Sequence, residues 1–307
     1  MDLAPVAALD CGTNSTRLLV ADHRGVPLER LMRITRLGEG VDATGSLADA
    51  AIVRCVAVLE EYRTVMDRLE VGRARLVATS AARDAANGQV FLDAARAAVG
   101  VEPELLTGRE EGALSMAGAL ADLDGDGGPS LVLDIGGGST ELVAGDGPDD
   151  PELAAVSLQL GCVRVAERFL HDDPPTGAEL AAAEAMVGEE LDRAVVEHPR
   201  FADKPRLVGL AGTVTTLSSL QQGLAEYDRD RIHHSVLTAD EVEHWYRALA
   251  TEDRAARLGR PGMVPGREDV IVGGAMILAL VMRRLGLVTC LVSEADILDG
   301  LVASLLG

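Results

Sequence analysis

One short pattern occurs twice in this chain and constrains its fold more than any other feature. Leu9-Asp10-Cys11-Gly12-Thr13-Asn14-Ser15-Thr16-Arg17-Leu18 returns, at one constant offset, as Leu133-Asp134-Ile135-Gly136-Gly137-Gly138-Ser139-Thr140-Glu141-Leu142. Each copy reads as an apolar strand, an Asp, a glycine-containing turn, Ser-Thr and a second apolar strand. That is a tight hairpin whose turn can show backbone N–H groups and a hydroxyl to an anion. Two such loops a domain's length apart predict duplicated halves facing each other across a phosphate-binding cleft. The copies differ at one informative place, where Arg17 in the first stands for Glu141 in the second. A cation on one side and a carboxylate on the other suit a site that grips a phosphate beside a metal or a water.

Size agrees with duplication, since 307 residues with 48% hydrophobic content can bury two ordinary cores. Met1–Pro5 shows neither a basic n-region nor an apolar h-region, so no signal peptide is expected. The apolar run Val270–Met282 is too short to cross a bilayer and predicts a buried helix. Cys11, Cys55, Cys162 and Cys290 form no C-x-x-C pair, which predicts four reduced, mostly buried thiols in a cytoplasmic protein.

A net charge of −21 argues against binding nucleic acid through a basic surface, and nothing points to a membrane. The imbalance is uneven: residues 1–121 carry 13 basic against 17 acidic side chains, and residues 122–307 carry 15 against 32. The first half can therefore supply a cationic wall, although a solvated face is expected for Arg24, Arg30, Arg33 and Arg36. The acidic remainder implies a divalent cation to screen an anionic substrate. Lys204, followed by Pro205, is the only lysine, so no G-x-x-x-x-G-K-[ST] loop exists and a P-loop NTPase is excluded.

Patterning predicts strands at 6–9, 16–21 and 28–36, then a helix opened by Ser46-Leu47-Ala48-Asp49 with apolar residues from Ile52 to Leu69 at three-four spacing. A strand at 75–78, a helical start at Ser80, a helix at 90–99, a strand at 102–106 and a helix at 110–120 follow. The polar, glycine-rich segment 122–129 reads as a domain boundary. The second half restarts with strands at 130–135, 141–144 and 154–158 and a helix at 161–170. Capping boxes at Thr176–Glu179 and Thr238–Glu241 open two more helices. Strands at 207–210 and 288–292, a buried helix at 269–285, and a last helix started by Ser293-Glu294-Ala295-Asp296 complete the pattern. Both halves show a three-strand meander followed by helix–strand alternation, the signature of an α/β unit.

The paired Asp-x-Gly loops and Leu207–Thr216 resemble the phosphate and adenosine motifs of the superfamily of actin, sugar kinases and heat-shock chaperone ATPases. Within it, Asp134–Glu141, Ala78–Asn87, Thr107–Gly112 and Gly262–Val272 resemble the exopolyphosphatase / guanosine pentaphosphate phosphohydrolase (Ppx/GppA) family, over Leu9 to about Gly300. The resemblance implies an α/β fold of two duplicated ribonuclease H-like (actin-like ATPase) domains flanking a cleft, 1–121 plus 293–307 and 122–292. Two departures stand out. Longer members add a C-terminal helical domain for which this sequence leaves no residues, and Leu298 stands where many relatives carry an arginine before the Glu-Gly or Asp-Gly pair. An anchor for a long chain or a nucleotide is therefore expected to be missing.

Phosphoanhydride hydrolysis needs a positioned terminal phosphoryl group, charge neutralisation and an oriented water. On the family pattern, the turns Gly12, Thr13, Asn14, Ser15 and Gly136, Gly137, Gly138, Ser139 cradle phosphate oxygens, with Arg83 assisting. Asp10, Asp134 and Glu141 hold Mg²⁺ or Mn²⁺, Arg17 neutralises the transferred phosphoryl, and Glu111 is the general base, with Glu141 supporting from the other side. Glu110 and Glu111 are also what a helix start favours for its macrodipole. Adjacent helical residues point about 100° apart, so only one can face the site, and motif alignment selects Glu111. Arg83 and Asn87 either lock the Thr79 loop or serve the phosphate. His233-His234 reads as loop and surface, because no carboxylate or cysteine lies at ligand spacing. Gly212-Thr213 either binds an adenosine-like group or is a plain strand-to-helix turn. The expected function is removal of terminal phosphate from inorganic polyphosphate, of short chain length. The alternatives are guanosine pentaphosphate 5′-phosphohydrolysis and a nucleotide- or alarmone-binding regulator. Oligomeric state, a homodimer included, stays open.

Overall fold

The computed structural model describes residues 3–123, 129–203 and 206–307. Residues 124–128 of the expected boundary segment, and Lys204 with Pro205, lie outside the described residues. The chain forms two compact units, Met1–Ala121 with Asp296–Gly307, and Asp122–Ala295.

In the first unit, β1 (Val6–Cys11), β2 (Ser15–Ala21) and β3 (Pro27–Ile34) form the antiparallel meander. The helices α1 (Val41–Thr44) and α2 (Asp49–Arg68) lead to β4 (Arg73–Ala78); α3 (Ser80–Asp84) and α4 (Gly88–Val99) lead to β5 (Pro103–Leu105), and α5 (Gly108–Leu120) follows. The sheet order is β3-β2-β1-β4-β5, with β4 parallel to both β1 and β5.

The second unit repeats this plan. It contains β6 (Ser130–Ile135), β7 (Thr140–Gly145), β8 (Ala154–Leu158), α6 (Cys162–Phe169), α7 (Gly177–Glu197), β9 (Arg206–Leu210) and α8 (Ala211–Gln221). Next come α9 (Arg229–Ile232), β10 (Val236–Thr238), α10 (Ala239–Ala250), α11 (Arg254–Leu258), α12 (Ile271–Leu285) and β11 (Thr289–Val292). Its order β8-β7-β6-β9-β11 matches that of the first sheet, and β10 adds an antiparallel edge strand. The last helix, α13 (Ile297–Leu306), lies in the first unit. Two copies of one ribonuclease H-like α/β topology are therefore present.

Packing on both faces explains why β1 is buried throughout. Ala7, Leu9 and Cys11 point to the face packed by Cys55, Leu59, Tyr62 and Met66 of α2, while Val6 and Ala8 point to the face packed by Ile297, Leu301 and Val302 of α13. Truncating a fully buried anchor such as Leu59 to Ala would cost about 2–5 kcal/mol. The predicted buried helix is α12, along which Ile271–Met282 and Leu285 are all buried. Among the described residues no helix is long and apolar enough to cross a membrane. All four cysteines are free and buried, as expected.

Two helix starts differ from the sequence reading. The N-cap of α2 is Ala48, because Ser46 is engaged in a turn in which Thr44 Oγ1 donates to its carbonyl. The cap of α13 is Asp296, in a capping box with Asp299, because the Ser293 hydroxyl is spent on the backbone of Ala295. The boxes at Thr176 and Thr238 form as read.

Candidate active site

Each unit carries a candidate site at its first hairpin. In both, the first turn glycine donates to the carbonyl of the serine three residues on, at 3.0 Å (Gly12 to Ser15, Gly136 to Ser139). What surrounds the turns decides which way they face. The Thr13 carbonyl accepts from the Gly38 N–H, and the Asn14 carbonyl from Thr35 and Arg36 N–H. In the second unit, the Gly136 and Gly137 carbonyls accept from the first amides of α6, and the Gly138 carbonyl from Arg164 Nε at 2.8 Å. With the carbonyls so consumed, the amides of Thr13, Asn14, Gly137 and Gly138 donate to no backbone carbonyl among the described residues. Amides left so can donate to an anion. Close packing enforces these turns: a Cβ on Gly38 would sit 2.3 Å from Thr13 Cγ2, and one on Gly161 would sit 2.1 Å from the Gly137 oxygen.

Behind each turn lies a cross-strand pair. Asp10 is opposite Arg17, and Asp134 is opposite Glu141. Arg17 donates through Nε and Nη2 to the single oxygen Oδ2 of Asp10, at 3.0 and 2.6 Å, and through Nη1 to Asp296. Asp10 Oδ1 is buried with no hydrogen-bond partner among the described residues. Burial raises the Asp10 pKa, against the opposing pull of Arg17. Burial would raise Asp296 too, but Arg17 and Arg30 outweigh it and leave that carboxyl below its ordinary value. Arg17, expected to neutralise phosphoryl charge, is thus held between two carboxylates. Arg30, expected on a solvated face, instead pairs with Asp299 and is mostly buried. In the second unit Glu141 is 1% exposed, and its Oε1 accepts from the Ser157 hydroxyl at 2.7 Å, directly across on β8.

The start of α5 separates two adjacent acids. Glu110 is exposed and closes a capping box with Thr107, accepting from its N–H at 2.8 Å and its hydroxyl at 2.7 Å. These bonds lower its pKa. Glu111 is buried and accepts from Arg83 Nη1 at 3.3 Å, while the same nitrogen donates to the Leu106 carbonyl at 2.8 Å. Arg83 therefore holds Glu111. Asn87 clamps the backbone of Leu47 at both ends, at 2.7 and 2.9 Å, rather than the Thr79 loop. The Thr13 hydroxyl is tied to that of Ser80 at 2.9 Å.

At two other motifs the structure shows what surrounds the residues. Over Gly212 lies the Arg267 guanidinium, and a Cβ there would be 1.3 Å from its Nη1. His233-His234 does find a carboxylate, Asp122, 111 positions away, with His233 Nε2 at 2.7 Å from Oδ2. Sequence spacing could not show that contact. His233 Nδ1 accepts the Glu294 N–H at 3.0 Å. With His234, whose Nε2 lies 3.5 Å from Asp122 Oδ1, the three side chains bring one ligand atom each within 4.8 Å of one another, close enough to hold a metal ion. Ser157 and Asp296 were missed, because the first depends on meander register and the second on where α13 returns.

Fold and loops together define a protein of the actin-like ATPase fold, each half carrying one phosphate-type hairpin. A profile of the Ppx/GppA phosphatase family matches residues 19–307. Exopolyphosphatase 2 of Mycobacterium tuberculosis is 43% identical over the whole of both chains. The crystal structure of an exopolyphosphatase-like protein superimposes with a TM-score of 0.91 at 36% identity, covering 98% of each chain. A Ppx/GppA family member from Aquifex aeolicus gives 0.81 at 31% identity, covering 99% of this chain and 98% of its own. The chain belongs to the Ppx/GppA phosphatase family.

Proposed function

We propose that this chain is an exopolyphosphatase, hydrolysing the terminal phosphoanhydride of inorganic polyphosphate, preferentially short chains, and releasing orthophosphate. Family membership and the full-length exopolyphosphatase relative support the reaction class. The observation that carries the mechanism is the separation at α5, where Glu110 is consumed by the cap and Glu111 is turned inward and held by Arg83. In this reading a water attacks the terminal phosphorus, the bridging P–O bond breaks, and Glu111 takes the water's proton. The turn amides of Gly12–Ser15 and Gly136–Ser139 receive phosphate oxygens, and Arg17 and Arg83 act chiefly by fixing Asp10 and Glu111.

Carboxylate donors suit a hard divalent cation, and the buried oxygen Asp10 Oδ1, left without a partner, fits one. Asp10 would hold Mg²⁺ or Mn²⁺ on the first unit, and Asp134 with Glu141 on the second. When bound, the cation supplies charge neutralisation at the phosphate oxygens.

The test is Glu111→Gln against Glu110→Gln on tripolyphosphate. An orienting base acts in the transition state, so Glu111→Gln should lower kcat by roughly 10²–10⁴-fold with little change in KM. Glu110→Gln should keep turnover and lose only cap stability. If the two variants exchange these outcomes, or both turn over normally, the assignment of the base is wrong.

A further inference from the structure

The acidic first turn of α13 faces the end of β1 that carries Asp10. Asp296 commits one oxygen to its own helix, where Oδ1 accepts the Leu298 N–H at 2.9 Å, and its N–H donates to Asp299 Oδ2 at 2.9 Å. The other oxygen, Oδ2, accepts from Arg17 Nη1. A carboxylate pinned at one oxygen by a helix cap is a rigid support for whatever the other oxygen holds. Register puts the partners on one face of the sheet: Asp10 lies opposite Arg17, and Leu19 lies opposite Arg30. That is the face on which α13 packs, through Ala8 and Leu19.

The seat of this turn is itself fixed. A Cβ on Gly118 would lie 1.9 Å from the Asp296 carbonyl oxygen, and one on Gly300 would lie 2.1 Å from that of Leu114. The backbones of α5 and α13 therefore touch, and α5 is the helix whose first turn bears Glu111. Leu298, standing where an arginine was expected, is 1% exposed in the core under α13. Lacking an arginine of its own, the turn takes its cations from β2 and β3, as Arg17 and Arg30.

We infer that Asp296 is a positioning residue for the hydrolysis. By holding the Nη1 edge of Arg17, it sets the guanidinium so that Nε and Nη2 close on one oxygen of Asp10 and leave the other presented. The C-terminal helix is then part of the working site and not only a cover for the sheet. The kinetic part of this inference rests on the polyphosphatase reading; the placement of Arg17 does not.

The discriminating variant is Asp296→Asn, because Asn caps a helix as well as Asp but brings no charge for Arg17. Three quantities are measured: kcat and KM for tripolyphosphate with Mg²⁺, the melting temperature, and the Arg17 Nε–H resonance in ¹⁵N-arginine-labelled protein, identified by its loss in Arg17→Lys. We expect a slightly lowered melting temperature that leaves the protein fully folded in the assay, kcat lowered at least about tenfold with KM within about threefold, and a shifted Arg17 resonance. Asp299→Ala, which removes the other half of the cap, should lower the melting temperature and leave the Arg17 resonance in place. Wild-type kcat with an unshifted resonance in Asp296→Asn overturns the inference, as does a loss of kcat that only follows unfolding in the assay. If the wild-type protein releases no phosphate from tripolyphosphate, the polyphosphatase reading fails. The resonance then decides alone, a shift supporting the placement of Arg17 by Asp296 and its absence refuting it.

Discussion

Asp134, Glu141 and Ser157 stand in one row across β6, β7 and β8, so the hydroxyl of the third fixes an oxygen of the second. A hydrogen bond from a neutral hydroxyl to a buried carboxylate orients more than it binds, and its removal leaves an acceptor short of a partner. Ser157→Ala should therefore lower kcat several-fold, about 3–30-fold, while changing KM little. Unchanged kinetics would show that Glu141 is held adequately by its other neighbours. Sequence disclosed the conspicuous members of the site unevenly. Asp10 and Asp134 stand out because they repeat, and Glu111 stands out only through its motif, since helix starts favour acids on general grounds. Ser157 and Asp296 carry no local signature. Their parts follow from strand register and from the return of α13, which are properties of the folded chain.

Helix starts show how a local rule succeeds or fails at the scale of an element. At α7, Glu179 accepts from the Thr176 N–H and hydroxyl with one oxygen, and from the His171 and Asp172 N–H with the other, at 2.7–3.1 Å. The backbone bond from Thr176 leads the causes that draw its pKa from 4.5 to about 2. A carboxyl depressed on folding contributes stability above its unfolded pKa and loses it as pH falls through the folded one. Denaturant midpoints of the wild-type protein should therefore fall between about pH 4.5 and pH 2 more steeply than those of Glu179→Gln. Parallel curves would mean that the box contributes nothing through its charge. This box was readable because Thr and Glu stand three apart ahead of an apolar run. Ser46 and Ser293 make equally good patterns and cap nothing: the Ser46 backbone is held in a turn by the Thr44 hydroxyl, and the Ser293 hydroxyl is spent on Ala295. Three-residue β10 and the short α1, α9 and α11 escaped notice because such elements hold fewer than two full periods of any pattern.

Across the whole molecule, duplication was the most legible property. One repeated hairpin predicted two α/β units, and the two sheets share the order meander, then parallel strands. The same duplication sets out the candidate site residues, since each unit carries a glycine-containing turn and an Asp on the adjoining strand. The acid-rich second half makes a polyanionic substrate costly unless cations accompany it. The account thus requires polyphosphate, a divalent cation and hydrolysis together. Its most direct test is phosphate release by the purified protein from tripolyphosphate, long-chain polyphosphate, guanosine pentaphosphate and ATP, side by side, in Mg²⁺ and in excess chelator. The account predicts the highest kcat/KM on tripolyphosphate, loss of release in chelator, and recovery when Mg²⁺ or Mn²⁺ is returned. Full turnover in chelator, or release from guanosine pentaphosphate with none from polyphosphate, would contradict it.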